Sequence, residues 1–472
     1  MSKNMLKFYA IVILALVFMY AFSASYTSDS VDNISYVIAL AVDENEGEKN
    51  LQVTFEFMDT STFSSEGSSE SKSAIIDTIN ATSINSAINL LNAYIGKQVN
   101  LSHCKVVVFS DKIAQKGIGA EVSELMNNIQ VRPSTNIIIC KGNALEYIQN
   151  STSQLEKILT KYYDIFPNSS EYTGYTSNIM IGEFYNYLTT KECGNLAILG
   201  GLNPTISPSN SSGNPSNNSA DGSSSGGSSG GGSSGEGSGN NSSSSSSNSS
   251  SSNNSSEDSS KDSSEKEKPK EKPDNSTPIS KMISGNAPIL GERGTENIGL
   301  AVMKDGIYIG DLTAEDTLCH TLISGEVNSF LLTINNTEIY ENYLDIELFE
   351  NMIPKISVKI ENDNPKINID IKLIGRISGI KDGINYSDEP SNLDLYKISR
   401  ATEETIKRCI TDYLNKTSTE FKCDIDYFYN YAKRRFLTVQ DWKKYDWSSK
   451  YTNSKFDVKV EAKIYYSLLH SD

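Results

Sequence analysis

Apolar positions along this chain fall into a few distinct patterns, and each predicts an element. Phe8 to Phe22 is an unbroken apolar run preceded by Lys3 and Lys7. As a helix rising about 1.5 Å per residue, the stretch to Ala24 spans roughly 25 Å, barely a bilayer core. Ile34–Val42 reads as a buried strand, and Leu51–Phe57 alternates as a half-buried one. The acidic DENEGEK between them suits a hairpin loop, and Thr60–Ser73 a polar loop. Ile75, Ile79, Ile84, Ala87, Ile88 and Leu91 then recur at helical spacing, ending near Gly96. A strand at Val106–Phe109, a helix from about Asp111 to Asn127, a strand at Asn136–Cys140 and a helix over Asn143–Asn150 come next. Ile181–Leu188 reads as helical. Strands alternating with helices predict a sheet covered by helices.

After Pro288 the pattern changes. Ile298–Met303 and Ile307–Ile309 flank Asp305-Gly306, the signature of a tight hairpin turn. Thr313 with Asp316 three residues on predicts a helix N-terminus close to a capping box. Strands are expected at Phe330–Ile334 and Tyr343–Phe349. Ile356/Val358/Ile360 and Ile367/Ile369/Ile371/Leu373 are expected to pair antiparallel across ENDNP. A long helix is expected from about Asn392 to Phe421. Ile425, Phe428, Ala432 and Phe436 lie on one face of a second. Phe456, Val458, Val460, Ala462 and Ile464 alternate with charged residues as an amphipathic strand. The expected class is mixed α+β, with an N-terminal sheet covered by helices, a C-terminal antiparallel sheet with long helices on one face, and a single N-terminal membrane helix.

Between the halves, from about Asn203 to Thr277, the chain turns to Ser, Asn and Gly and then to KDSSEKEKPKEKPDN. Too little there is apolar to offset ordering entropy, so disorder is expected, as a tether or as an insertion looping from a folded body. The division is 1–25, a signal anchor or signal peptide; 26–202, an N-terminal α/β domain; 203–286, the Ser/Asn/Gly-rich segment; and 287–472, a C-terminal α+β domain. For the first segment both readings stand. Ala21-Phe22-Ser23 offers small residues for cleavage, and an anchor needs only length. Either way, basic residues before the run place the chain beyond about residue 25 outside the cytoplasm.

The net charge of −17 argues against a general nucleic-acid binder, which needs a basic footprint. Six cysteines, Cys104, Cys140, Cys193, Cys319, Cys409 and Cys423, form no C-x-x-C and fit no zinc spacing. Cys104 and Cys140 sit on apolar strand-like runs, where a free buried thiol is commoner than a bridge. His103, His320 and His470 are far apart and lie in no metal or catalytic motif. Ser263-Ser264-Glu265-Lys266 matches S-x-x-K but falls in the low-complexity tract, where nothing holds serine and lysine in register. Gly117-Ile118-Gly119 lacks the third glycine of a dinucleotide fingerprint. No catalytic, cofactor-binding or metal residue is assigned, and no cofactor is expected.

The most unusual stretch is Asp424–Trp447, DIDYFYNYAKRRFLTVQDWKKYDW. It holds both tryptophans and interleaves Lys433-Arg434-Arg435 and Lys443-Lys444 with aromatics. Such a pattern suits single-stranded nucleic acid or a membrane surface. It equally suits an amphipathic segment with its aromatics in the core and its cations in water. The negative chain and the export signal favour the second.

With its flanks, FKCDIDYFYNYAKRRFLTVQDWKKYDWSSKYTNSKFDVKVEAKI resembles the C-terminal signature of the Ger(x)C family, the C subunits of bacterial spore germinant receptors. VIALAVDE, LSHCKVVVFSDKIAQKGI, VRPSTNIIICKGNALEYI and LAVMKDGIYIGDLTAEDT…ISGEV resemble the same family in the same order. Together they span about 34–202 and 287–466. Members typically carry a lipid-attachment cysteine and a W-D-x-R-E-like run; here the matching FSASYTSDSVDNI has neither cysteine nor tryptophan. No thiol there can take a diacylglycerol, so the resemblance turns the N-terminal helix toward an anchor. It implies a non-catalytic subunit on the outer, extracytoplasmic face of the spore inner membrane. Its partners would be multi-spanning A- and B-type subunits, in nutrient-triggered germination. An exported envelope-binding module or a cell-wall enzyme is the alternative.

Overall fold

The computed structural model describes residues 3–23, 33–45, 51–58, 74–151, 159–203, 279–289, 291, 293–334, 343–380 and 392–465. The loop at Thr60–Ser73, the tract beyond Asn203, the S-x-x-K match and His470 lie outside them.

The apolar run forms helix α1 (Lys3–Ser23). From Met5 to Tyr20 its large apolar side chains, Phe8, Ile11, Leu14 and Met19 among them, are exposed at successive positions and so on every side. Among the described residues, no helix is long and apolar enough to cross a membrane. The structure shows a helix, not a crossing.

Beyond it come β1 (Ile34–Glu44), β2 (Leu51–Met58), β3 (Ala74–Ala81), α2 (Ile84–Ile95), β4 (Gln98–Asn100), β5 (Val106–Ser110), α3 (Asp111–Lys116) and α4 (Gly119–Asn127). Next are β6 (Asn136–Lys141), α5 (Ala144–Asn150), α6 (Leu159–Ile165), α7 (Ser170–Thr173), α8 (Ile181–Leu188) and β7 (Asn195–Leu202). The second half supplies β8 (Thr295–Lys304), β9 (Ile307–Leu312), α9 (Ala314–Ser324), β10 (Ser329–Ile334), β11 (Leu344–Glu361) and β12 (Asn364–Ile380). It closes with α10 (Asn392–Lys416), α11 (Tyr429–Lys433), α12 (Val439–Tyr445), α13 (Trp447–Tyr451) and β13 (Lys455–Tyr465).

The large sheet runs β3-β2-β1-β5-β6-β7-β8-β9, with β4 also beside β1. Its central strands β5 and β6 are buried on both faces, which explains their unbroken apolar sequences. β8 and β9 belong to this sheet, β8 pairing antiparallel with β7. The sheet therefore runs through the division that composition places at 203–286. The described residues up to Asn203 and from Ile279 onward belong to one compact unit. At the β8–β9 turn, Asp305 and Gly306 both take positive φ (52° and 76°), as a tight hairpin requires.

Three expectations are corrected here. Ile75 and Ile79 lie on β3, not on a helix, because residues 74–81 pair one for one with β2. Their spacing of four is even, so it marks one face of a strand as well as of a helix. The helix itself starts after Ser83, whose hydroxyl accepts the amide of Ser86 at 3.1 Å. The helix expected over 111–127 breaks at Gly117, with φ of 109°, into α3 and α4. In the smaller sheet, β10-β11-β12-β13, the first three strands are antiparallel but β13 joins β12 in parallel. The long return through α10 makes that possible. Val458, Val460, Ala462 and Ile464 face inward along β13 as expected, and α10 lies against them.

Candidate functional site

The site is the Asp424–Trp447 segment and the elements it packs against. It is built from the capping of α9. Thr313 Oγ1 accepts the Asp316 amide at 3.2 Å and Asp316 accepts the Thr313 amide at 3.0 Å, a complete capping box. The fixed start places His320 two turns on, buried, against Tyr413 of α10. Helix α10 ends in a widened turn at Thr417–Phe421, and Lys422 takes a left-handed φ of 51°. The chain doubles back there and carries two aspartates into the interior.

Asp424 accepts three N–H donors: the amides of Phe428 (3.1 Å) and Tyr429 (2.8 Å) and the Trp447 indole (3.0 Å). Burial outweighs these bonds and pushes its pKa up to about 7. Asp426 lies 2.8 Å from His320 Nδ1 and accepts the Tyr413 hydroxyl at 2.9 and 3.1 Å on its two oxygens. For His320, burial pulls the pKa down. The hydrogen bond and charge of Asp426, with the charges of Glu326 and Glu183, more than reverse this and leave it raised. The expected helix through Ile425 and Phe436 is thus shortened to the five residues of α11. Asp424 captures the amides that would have continued it, and Tyr427 sits at a φ of 58°.

This turn docks on the loop before β7. The Gly194 amide donates to Asp424 O at 3.0 Å, and Trp442 Nε1 donates to Glu192 at 3.0 Å. Tyr427 stacks on Tyr187 with centroids 4.3 Å apart. A Cβ at position 194 would come within 2.4 Å of Cys423 Sγ and 2.8 Å of Met303 O, so only glycine fits. Behind the turn, rings run from Phe436 through Trp442 and Trp447 to Tyr451 at centroid spacings of 5.3 to 5.9 Å. Trp442, Trp447, Tyr445 and Tyr451 are buried, whereas Lys433, Arg434, Arg435, Lys443 and Lys444 are exposed. The aromatics are core and the cations face water. An open groove of about 660 Å³ beside them is lined by Ile323, Asp426, Tyr427, Tyr431, Lys433 and Arg434.

The remaining sequence candidates stay scattered. His103 packs edge-on to Tyr36 at 4.7 Å. All six cysteines are free and buried, and burial pushes Cys104 and Cys423 up to about 12, far from a reactive thiolate. Among the described residues, no group of side chains could hold a metal ion. The His320–Asp426–Tyr413 cluster was missed in the sequence, because its members are up to 106 positions apart. The one available signal was two aspartates within the apolar run around Ile425.

Residues 28–200 match the family described as "Spore germination protein N-terminal domain". Residues 298–467 match "Spore germination B3/ GerAC like, C-terminal". A Bacillus subtilis (strain 168) protein named for spore germination, YfkR, is 25% identical over 130 residues, 27% of this chain and 34% of that protein. The match thus spans about a third of the relative's length. A crystal structure of the GerBC protein superposes with a TM-score of 0.47 at 13% identity, over 90% of this chain and 96% of that one.

Proposed function

The chain belongs to this spore germination family through both of its halves, and on that premise we propose that it is a membrane-associated, non-catalytic C-type subunit of a germinant receptor. It works by assembling with two multi-spanning partner subunits on the outer face of the spore inner membrane, in nutrient-triggered germination. The observation that carries the reading is the ordered pair of family matches, 28–200 and 298–467, behind a helix whose apolar side chains are exposed on all sides. Such a helix is costly in water and needs an apolar surround, which a bilayer supplies. In this reading α1 is retained as the anchor, since no cysteine near its end offers a lipid-attachment thiol. The segment 203–286 then serves as an insertion between an N-terminal and a C-terminal portion.

The test is purification of the tagged chain from spore membranes in mild detergent. Recovery of two multi-spanning proteins in stoichiometric amounts, with peptides from upstream of Ser23, is the expected result. A protein that purifies alone from the aqueous fraction, with an N-terminus near Ala24, overturns it.

A further inference from the structure

The turn between α11 and α12 carries an outward surface that core packing does not explain. Phe428, Ala432, Trp442 and Tyr445 fill its inner side. Outside, Leu437 is 100% exposed and Val439 62%, at the tip of the turn. Lys433, Arg434 and Arg435 precede them, and Lys443 and Lys444 come after, on a chain of net charge −17. Of the acids nearby, the exposed Glu361 shares the depression beside Arg435, and the others hold side-chain partners. Asp441 accepts the Thr438 hydroxyl at 2.7 Å, Asp446 accepts Ser449, and Asp363, across the depression beside Arg435, pairs with Lys450. Arg434 lies over the Tyr431 ring and Arg435 donates to Val358 O at 3.1 Å. Lys433, Lys443 and Lys444 have no ion pair among the described residues.

We propose that this turn docks on an anionic lipid surface, with Leu437 and Val439 entering the headgroup boundary and the surrounding cations meeting lipid phosphates. Protein interfaces are depleted in lysine and anchored by outward aromatics. Here the rings of Phe428, Trp442, Tyr445 and Trp447 are turned inward, Tyr427, Tyr431 and Phe436 are half-buried, and lysine and the aliphatic Leu437 and Val439 face outward. That is the composition of an interfacial membrane element. The inference rests on the membrane-associated reading of the chain and names a second contact, separate from α1.

The experiment uses the full chain with Leu437→Cys carrying an environment-sensitive fluorophore, which labels position 437 because the native thiols are buried. The labelled protein is reconstituted with phosphatidylcholine vesicles, with or without phosphatidylglycerol. The expected result is flotation with both, and a blue shift in emission with the anionic vesicles alone. High salt and the Lys433→Glu/Arg434→Glu/Lys443→Glu/Lys444→Glu variant, checked for an unchanged melting curve, should abolish the shift. Flotation with both lipids and identical emission overturns the proposal. A blue shift in neutral lipid that needs the partner subunits also overturns it, in favour of a protein contact. Loss of flotation on neutral vesicles removes the α1 anchor instead, and the anionic shift then decides the patch by itself.

Discussion

Trp447 donates its indole N–H to Asp424 at 3.0 Å, closing a buried carboxylate site that two backbone amides already occupy. The folded carboxyl still titrates near 7 because burial outweighs the three donors. Its pKa is raised above the ordinary 3.8, so the folded state keeps a proton that the unfolded chain releases. This contribution to stability is full below about pH 4, declines as pH rises, and levels off above about 7. A span from 3.8 to about 7 corresponds to at most on the order of 4 kcal/mol. Trp447→Phe removes one donor to the ionised form, so it should cost about 1–3 kcal/mol and extend the decline to higher pH. Thermal unfolding across pH 5 to 8 reads both. An unchanged pH profile would mean that Asp424 is not held as described.

Phe428 has no exposed surface, and its backbone amide is one of the two that Asp424 binds. Emptying the site in Phe428→Ala should cost about 3–5 kcal/mol. Reversing Lys433 and Arg434 to Glu should leave the melting temperature nearly unchanged, since exposed charges contribute little to folding. If Phe428→Ala melts like the parent, the aromatic segment has been assigned the wrong face.

Much of the fold was legible where one element decided its own pattern. The alternation of β13, the Asp305-Gly306 hairpin and the Thr313–Asp316 box all appear where they were expected. Reading failed where a distant partner decided. Ile75 and Ile79 became a strand because β2 offered a ladder. Nothing local to β13 tells whether β12 will receive it in parallel. The site was half legible. Its aromatics and cations were visible as a pattern and their inward and outward faces were expected, but the roles of Asp424 and Asp426 depend on α9, α10 and the loop at Gly194, each far off in the chain.

The chain leaves β7 and returns beside it. Ser284 Oγ donates to Leu199 O at 2.8 Å, and the Asn203 amide donates to Gly294 O at 2.9 Å. The sheet therefore holds both ends of the Ser/Asn/Gly tract next to each other. Loop-closure entropy changes by only about 0.6 kcal/mol per doubling of length. Deleting most of 206–276 shortens the connection by roughly three halvings, so it should change stability by no more than about 2 kcal/mol and leave a single cooperative transition. A large fall in melting temperature, or two transitions, would show that the tract contributes packing.

The last prediction concerns His320. Its Nδ1 faces Asp426, which also takes the Tyr413 hydroxyl, while Glu326 and Glu183 contribute negative charge around it. Protonated, the imidazole answers that charge; neutral, it leaves the buried Asp426 with less compensation. The folded pKa is raised above 6.5, so this stabilisation is full below 6.5 and is lost as pH rises through the folded value. Asp424 acts in the same direction but levels off near 7. His320→Gln should therefore make the decline above pH 6.5 shallower, while Tyr413→Phe should retain it and lose about 1–3 kcal/mol by stripping Asp426 of a donor. Urea unfolding of the three proteins at pH 6, 7 and 8 separates these effects. Parallel curves for parent and His320→Gln would show that the histidine does not carry the charge on which this prediction depends.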